Sequence, residues 1–383
     1  MFFLPFALSF ASVLASPQYK RAGELVVELT GPSGSVNSAD LVLTASITNT
    51  GSQDVKVLKY GTVLDDLPTR SFVVTNDDTQ SEVPFTGVKL SVSIDNNPEA
   101  AYITIASGQT INVTHDVSAI YDWGGNGKYT FTPIASFRAA APGNLLADIG
   151  SLSKVSADSS SLGVEISSVT KRELQSKHES RSSDVQVLDK RAVVSCSSSS
   201  ESSFISARYA CPSFPYFLHS RRNYSYTEGK ALASLGSSYI SFNGATDSLY
   251  RSYFDSTSTS TVISVLNAAA SESSSSRTLS CDDTYNVCDG NVIAYTVIST
   301  TNIYFCDTFF DEVTTTALCS GTTVAARNVR GGTTLHELTH AIANTDDITY
   351  GCSADQALSD SQSAINADNY NCFTTQVFQN EEC

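Results

Sequence analysis

The segment His336-Glu337-Leu338-Thr339-His340 has the residue types and spacing that most directly indicate chemistry. On a helix, residues i and i+4 project from the same face, so His336 and His340 can direct two ring nitrogens at one tetrahedral zinc ion. Glu337 then lies beside the open position of that site, where a carboxylate can take a proton from water and return it to a leaving amine. The spacing therefore predicts a helical zinc site that hydrolyses peptide bonds.

The third ligand of this site must be a carboxylate. The chain has five histidines in 383 residues, and none follows His340. With so few histidines, the motif arises by chance in roughly one of a few hundred such chains, and the competing interpretation is a surface helix with solvated side chains. A catalytic zinc ion takes three protein ligands. Spacing alone leaves five candidates for the third: Asp346, Asp347, Asp355, Asp360 and Asp368.

The first 16 residues begin with an apolar run and end in small residues, which is typical of a signal peptide. No later stretch reaches the roughly 18 consecutive apolar residues that a membrane span needs. We therefore expect a secreted, extracellular protein without a membrane anchor.

All the cysteines lie in the second half of the chain, and the first 195 residues have none. In an exported protein such a cluster predicts disulfides, because oxidising compartments keep these bonds closed. The number is odd, so at least one thiol stays unpaired. The nine positions are Cys196, Cys211, Cys281, Cys288, Cys306, Cys319, Cys352, Cys372 and Cys383.

Charge also divides the chain. From Ala192 onward there are 8 Lys plus Arg and 19 Asp plus Glu, a net of 8 − 19 = −11. An acidic domain repels phosphate backbones and attracts basic polypeptides. This argues against a nucleic-acid-binding role and mildly favours basic protein substrates, although solubility explains the charge at least equally well.

The first half has the pattern of a β-sandwich-like propeptide. Short alternating apolar runs from about residue 22 to 150 are separated by Gly, Asn, Asp and Pro turns. Residues 151–191 are polar, with few large apolar groups, and predict a linker. We expect a propeptide over residues 17–191, in addition to the signal peptide over 1–16.

The pair Lys190-Arg191 ends the polar linker, immediately before the cysteine-rich half. Such a pair on an exposed segment suits a kexin-like processing protease. Lys20-Arg21 and Lys171-Arg172 are rival pairs, but neither lies at the change in composition. The mature domain is therefore expected to span residues 192–383. We also expect it to be a monomer.

The chemical motif has a second part downstream. HELTH is followed by NTDDITYG at residues 344–351, and this pair resembles the HExxH and GTxDxxYG motifs of the aspzincins, the fungal deuterolysin (neutral protease II) metalloendopeptidases. The resemblance extends over the mature half and the layout of the precursor. It implies that Asp347 is the third ligand of one zinc ion, that Tyr350 polarises the scissile carbonyl, and that Glu337 is the general base.

The same resemblance implies a fold and a disulfide pattern. Spacing at 250–254 and 260–270 favours helices, and 291–298 favours a buried strand. Together these predict a mainly α-helical zincin catalytic domain with a small β-sheet. The family's disulfides translate to Cys196 with Cys281, Cys288 with Cys306, and Cys319 with Cys383. We further expect Cys352 to pair with Cys372, which leaves Cys211 unpaired.

Two departures from the family pattern concern the catalytic residues. Asn344 replaces the Gly of the second motif, although Asn also tolerates the left-handed backbone conformation that a Gly often marks. Because this changes the loop, Asp346 remains a second-choice zinc ligand. Phe309 stands where deuterolysins have Tyr, which removes a hydroxyl. This motivates an alternative function: a catalytically silent, secreted zinc-binding protein on the same scaffold.

A third departure concerns substrate binding. Residues 366–371 resemble the segment that shapes the S1′ pocket of aspzincins, so we expect Asp368 to bind substrate. Asn371 stands where lysine-specific relatives have Glu, which predicts broad cleavage of protein or peptide substrates rather than strict cleavage before Lys. The alternative for Asp368 is a helix cap or a partner that orients a metal ligand.

Overall fold

The computed structural model describes residues 25–94, 98–140, 152–175, 192–205 and 224–383. We call residues 25–175 the N-terminal half and residues 192–383 the C-terminal half. The expected signal peptide, Lys190-Arg191 and Cys211 lie outside the described residues. Within the described residues, no helix combines the length and the apolar character that a membrane span requires.

The N-terminal half is built from strands that form two sheets. The seven-stranded sheet has the order β8-β4-β11-β12-β1-β3-β9, and the five-stranded sheet has the order β2-β13-β10-β5-β6. The elements are β1 Leu25–Thr30, β2 Ser35–Asn37, β3 Val42–Asn49, β4 Val55–Leu58, β5 Phe72–Asn76, β6 Ser81–Glu82, β7 Val88–Val92, α1 Pro98–Ala101, β8 Tyr102–Ile105, β9 Thr110–Asp116, β10 Gly127–Pro133, β11 Ser136–Ala139, β12 Ser153–Ser159 and β13 Leu162–Ser168.

Alternation of apolar and polar residues explains why these strands pack as a sandwich. In β10 the side chains of Tyr129 and Phe131 are buried, whereas the intervening positions are partly or fully exposed. Both rings join a single core that takes residues from the two sheets, including Val27 and Phe72. The two sheets therefore cover one apolar core, as the sequence pattern predicted.

The expectation of a linker over residues 151–191 is wrong for residues 153–168, which form β12 and β13. β12 lies between β11 and β1, and β13 pairs with β10. Val155, Val164 and Ile166 are buried although the segment is polar overall. These few apolar residues fall at alternate positions on the inner faces of the two strands, so composition alone underestimated what they bury.

The C-terminal half is mainly helical with short strands. The helices predicted at 250–254 and 260–270 fall within α4 and α5, and the predicted strand at 291–298 is β16. The elements are β14 Val193–Ser195, α2 Ser199–Ile205, α3 Ser225–Asn243, α4 Ser248–Phe254, α5 Thr259–Ala270, β15 Thr278–Ser280, β16 Val292–Val297, β17 Asn302–Phe305, α6 Arg330–Ala343, α7 Cys352–Asp355, α8 Asp360–Ser363 and α9 Ala367–Glu382.

Helix α6 carries the HExxH residues and is packed closely against α3. A Cβ atom added at Gly331 would lie 2.7 Å from Cβ of Glu228, so only glycine permits this approach. The buried pair of Arg330 and Glu228, with an N–O distance of 2.8 Å, joins the same two helices. Leu335 and Leu338 are fully buried in the helical core. Helix α6 is therefore held rigidly, which is what a precise site requires.

Four disulfides join described cysteines of the C-terminal half. Cys352–Cys372 joins α7 to α9, directly behind the segment that follows Tyr350. These four are the pairs that we expected: Cys196–Cys281, Cys288–Cys306, Cys319–Cys383 and Cys352–Cys372.

Strand β7 of the N-terminal half joins the sheet of the C-terminal half. That sheet has the order β14-β15-β17-β16-β7. β7 runs antiparallel to β16, with Leu90 opposite Tyr295 and Lys89 opposite Thr296. An apolar cluster with members from both halves surrounds this pairing and includes Leu90 and Tyr350. The two halves are therefore joined by the pairing of β7 with β16 in the sheet of the C-terminal half.

Candidate metal centre and active site

Helix α6 places His336 and His340 one turn apart, with their ring centroids separated by 4.8 Å. Both side chains are buried. The helix ends at Asn344, whose φ of 54° is left-handed and whose N–H donates to the carbonyl oxygen of His340. Asn344 thus makes the chain reversal for which the family motif has Gly.

After this reversal, Asp347 lies against both histidines. Its Oδ1 is 3.0 Å from Nε2 of His336 and 3.1 Å from Nε2 of His340. The neighbouring Asp346 points elsewhere and forms ion pairs with Arg70 at 3.1 Å and Lys89 at 2.8 Å. Two consecutive acids therefore have different surroundings, and Asp347 is the one beside the rings.

The other carboxylates that the sequence left open lie elsewhere in the C-terminal half. Asp355 is buried and accepts a hydrogen bond from the side-chain amide of Asn366 at 3.1 Å. Asp360 begins α8 and contacts the hydroxyl of Ser256. Among the described histidines and acids, His336, His340 and Asp347 form the one cluster whose ligand atoms converge without a cysteine.

The three residues fit a zinc ion. Ligand atoms about 2.0 Å from a tetrahedral zinc ion are about 3.3 Å from one another, close to the separations found here. Nε2 of His340 is buried and, although it lies 3.1 Å from Asp347 Oδ1, makes no hydrogen bond to a described residue, as expected of two lone pairs that bind one metal ion. Burial opposes a charge on His336, but hydrogen bonds to Asp347 and Asp368 raise its pKa to about 10. Burial instead lowers the pKa of His340, which favours the neutral ring that a zinc ion needs as a ligand.

His340 is oriented by Thr345. Its Nδ1 donates to the carbonyl oxygen of Thr345 at 2.7 Å, and the Thr345 hydroxyl lies 3.1 Å from the same nitrogen. A proton fixed on Nδ1 leaves the lone pair on Nε2, the atom that faces Asp347. Such a hydrogen bond on the far side of a histidine is typical of metal ligands.

His336 is oriented by a buried acid. Nδ1 of His336 lies 3.5 Å from Oδ1 of Asp368. The same carboxylate accepts hydrogen bonds from Arg327 at 2.7 and 3.0 Å and from the N–H of Gly351 at 2.7 Å. Gly351 has a φ of 98°, which explains the glycine at this turn.

Asp368 is therefore fully buried and already engaged, rather than open to a substrate. Burial opposes its ionisation, but the charge of Arg327 and the contact with His336 hold its pKa below the usual range. These contacts match the alternative role, that of a partner which orients a metal ligand. Asn371, with its side-chain nitrogen 3.4 Å from the same carboxylate, belongs to this cluster.

Glu337 is fully buried next to the cluster of His336, His340 and Asp347. Its Oε2 accepts a hydrogen bond from the hydroxyl of Thr296 at 2.7 Å, and Oε1 has no hydrogen-bond partner among the described residues. Burial raises the pKa of Glu337 to about 8, while His336, Thr296 and the backbone of Ser91 act in the opposite direction. A carboxylate in this environment can accept and return a proton near neutral pH.

Tyr350 completes the site. Its hydroxyl donates to the carbonyl oxygen of Leu90 at 3.1 Å, and its ring lies nearly parallel to that of His336 at 6.3 Å. Burial and the nearby carboxylates raise its pKa, so the hydroxyl remains a donor. Phe309 is instead buried in the helical core, where its ring stacks on Phe305 at 4.2 Å.

Three residues of this site escaped the sequence analysis: Thr296, Arg327 and Thr345. Thr345 lies inside the NTDDITYG segment, and the rule that metal-binding histidines carry a second hydrogen bond could have pointed to it. Thr296 and Arg327 come from separate elements, and no local pattern marks them. The available signals were weak: Thr296 is the one threonine in the buried strand β16, and Arg327 is an arginine shortly before α6.

Two helical histidines, a returning acid and a buried glutamate are typical of zinc-dependent peptidases. The aspzincin family model, described as lysine-specific metallo-endopeptidase, matches residues 239–375. A neutral protease 2 homolog of Aspergillus terreus is 30% identical over an alignment of 348 positions that covers 88% of this chain and 88% of its own. Another, from Botryotinia fuckeliana, is 28% identical over 97% of this chain and 96% of its own.

The chain therefore belongs to the aspzincin family, as a homolog of fungal neutral protease 2, and is a metalloendopeptidase. Among solved structures, a zinc peptidase from Grifola frondosa overlaps with a TM-score of 0.29 at 21% identity, over 40% of this chain and 90% of that chain.

Proposed function

We propose that this chain is the precursor of a secreted, deuterolysin-type zinc endopeptidase. One zinc ion would be held by His336, His340 and Asp347. The observation that carries this proposal is the position of Asp347 Oδ1, within 3.1 Å of Nε2 of both histidines. A chance surface motif would not bury both histidines and bring a carboxylate oxygen within 3.1 Å of both ring nitrogens.

Hydrolysis needs a proton acceptor and a carbonyl-polarising group at the same bond. Glu337 takes the proton of the attacking water and later gives it to the leaving amine, and Thr296 holds the carboxylate in place for both steps. The Tyr350 hydroxyl donates to the scissile carbonyl oxygen and stabilises the charge that develops there. A bound zinc ion supplies Lewis acidity to that carbonyl and increases the acidity of water.

Asp368 contributes by orientation. Its Oδ1 lies 3.5 Å from Nδ1 of His336, on the side of the ring away from Asp347, and its Oδ2 accepts from the N–H of Gly351 next to Tyr350. Arg327 neutralises this buried acid. Because Asp368 is occupied in this way, we assign it a positioning role and do not assign this chain the strict lysine specificity named for the family model.

The chain would be processed in two steps. A signal peptide over residues 1–16 directs secretion, and a kexin-like protease cuts after Lys190-Arg191 to release the mature domain over 192–383, a monomer that acts on protein and peptide substrates. The four disulfides, all within residues 192–383, support an oxidising destination for that domain. Its net charge of −11 supports a preference for basic substrates.

The test compares mature enzyme with a matched variant. The full chain is treated with a protease that cuts after Lys-Arg pairs, and the mature domain is separated, loaded with zinc and assayed on casein. Cleavage that disappears in Glu337→Gln, with zinc content unchanged, is the expected result. If wild type and variant were equally inert while both bound zinc, the silent zinc-binding protein would be the correct function.

A further inference from the structure

Strand β7 of the N-terminal half lies in the candidate active site with the geometry of a peptide ligand. It extends the catalytic sheet at its edge and runs antiparallel to β16, with Val88 opposite Val297 and Val92 opposite Val292. An extended peptide added to an open sheet edge is a common mode of peptide recognition. Here the peptide and the edge strand belong to the same chain.

The carbonyl oxygen of Leu90 lies at the centre of the site. It is 3.0 Å from Nε2 of His336, the same separation that Asp347 Oδ1 has from that nitrogen. It also accepts the hydrogen bond of the Tyr350 hydroxyl at 3.1 Å. The backbone N–H of Leu90 donates to Oδ2 of Asp347 at 2.7 Å. The Leu90 carbonyl is thus surrounded by the groups assigned to a scissile carbonyl.

The next residues continue the same placement. Ser91 follows Leu90 in β7, and its backbone lies close enough to Glu337, the group that would return a proton to a leaving amine, to oppose the rise in the pKa of that carboxyl. One residue further, the carbonyl oxygen of Val92 accepts a hydrogen bond from Arg327 at 3.1 Å. The peptide bond between Leu90 and Ser91 therefore lies between the carbonyl-binding and the proton-donating groups, where a cleavable bond would lie.

Lys89 anchors this strand. Its ammonium group lies 2.9 Å from the carbonyl oxygen of Asn344, 2.8 Å from the Asn344 side-chain oxygen, 2.6 Å from the carbonyl oxygen of Thr345 and 2.8 Å from Asp346 Oδ1. The side chain is 5% exposed. One of these oxygens is the backbone carbonyl of Asn344, at the C-terminal end of helix α6, which carries a partial negative charge. We call these four oxygens the ammonium cradle.

We propose that residues Val88–Val92 are a built-in, substrate-shaped ligand that closes the active site of the precursor, with the Leu90–Ser91 bond in the cleavage position and Lys89 in the ammonium cradle as the anchor. This inference rests on the proposed function, because it assigns an occupant to the same catalytic site. The N-terminal half would then be an inhibitor that acts by occupying the peptide-binding edge of β16.

The test uses the full chain with Lys190-Arg191 changed to Ala-Ala, so that the halves stay covalently joined. Lys89→Glu places a second negative charge beside Asp346 and should expel β7. The matched control is Lys59→Ala, which removes another ion pair between the halves, that of Lys59 with Asp289 at 3.0 Å, far along the chain from β7. Lys89→Met is a milder second variant in case Lys89→Glu folds poorly.

Two readouts are measured on each chain. Hydrogen exchange of the peptide covering β16 should be slow in the parent and in Lys59→Ala, and fast in Lys89→Glu and in the separated mature domain. Hydrolysis of a short peptide by the zinc-loaded parent should be at least about tenfold slower than by Lys89→Glu, as expected from the loss of a buried charged contact. Lys89→Met should be intermediate, and Lys59→Ala should resemble the parent.

Equal exchange of β16 in the parent and in the mature domain would overturn the proposal, because the edge strand would then be open in both. Peptidase activity of the parent equal to that of the mature domain would also overturn the proposal. A mature domain that is inert on every substrate contradicts the proposed function instead, and the exchange rates of β16 still decide whether Val88–Val92 occupies the edge.

Discussion

Asp368 Oδ1 lies 3.5 Å from Nδ1 of His336 while Arg327 donates two hydrogen bonds to the same oxygen, at 2.7 and 3.0 Å. A buried acid is thereby shared between a cation and the far side of a candidate metal ligand. This arrangement makes the acid a determinant of metal affinity.

The change Asp368→Asn should weaken zinc binding by about 10- to 100-fold, because the ring of His336 loses the carboxylate that orients it. Competition with a chromogenic chelator measures the affinity of the mature domain. Asp360→Asn, a change of the same chemistry on α8, is the control and should leave the affinity unchanged. Activity of Asp368→Asn should return in part when zinc is in excess, which a general folding defect would not allow.

The change Thr296→Val should lower kcat by about 10- to 100-fold, because a hydrogen bond to a charged group contributes about 1.5–3 kcal/mol. Thr296 donates to Glu337 and is buried, so valine fits the space without replacing the hydroxyl. Steady-state kinetics and zinc content are both measured. Thr296→Ser keeps the hydroxyl and should retain most of the activity. A normal kcat in Thr296→Val would remove this residue from the mechanism.

The ammonium cradle should make the mature enzyme prefer a lysine as the second residue before the scissile bond. Two peptides that differ only in Lys or norleucine at that position should differ in kcat/KM by about tenfold, since a buried charged contact is gained. Asp346→Asn should remove most of this difference, and the norleucine peptide is the internal control. Equal kcat/KM values for both peptides in the wild type would show that the cradle does not select substrates.

Glu312 should make the stability of the C-terminal half depend on pH. Burial raises its pKa from 4.5 to about 8, against the opposing effects of Thr333 and Arg327. A raised pKa means that the folded state binds the proton more tightly, so this stabilisation is complete below about pH 4.5 and is lost as pH rises to about 8. The loss is ~1.4 kcal/mol of unfolding free energy for each pH unit crossed.

The change Glu312→Gln tests this dependence. The Thr333 hydroxyl donates to Oε1 at 2.7 Å, and Oε2 has no hydrogen-bond partner among the described residues, so an amide fits the site. Denaturant unfolding of wild type and variant between pH 4.5 and 8 should diverge, with the variant more stable at pH 8. Parallel curves over this range would show that Glu312 is ionised throughout.

The sequence predicted the parts of the site that depend on local spacing. His336, Glu337 and His340 lie within two turns of one helix, so their relation follows from helical periodicity alone. Asp347 depended on the paired motif of a known family, because the chain reversal at Asn344 is not a regular element. Local patterns also identified α4, α5 and β16.

Contacts between distant segments could not be predicted in this way. Thr296 and Glu337 are separated by 41 residues, and Leu90 and His336 by 246. Nothing in the apolar alternation of β7 distinguishes it from the other strands of the N-terminal half, so its place beside β16 is set by tertiary packing. The segment of β12 and β13 was misjudged for the related reason that average composition hides alternation.

The zinc site of His336, His340 and Asp347 is tested most directly by anomalous diffraction at the zinc absorption edge from crystals of the mature domain. One peak is expected, about 2 Å from Nε2 of His336, Nε2 of His340 and a carboxylate oxygen of Asp347. A peak bound by other residues, or an Asp347 carboxylate remote from a zinc ion that the two histidines hold, would contradict this assignment.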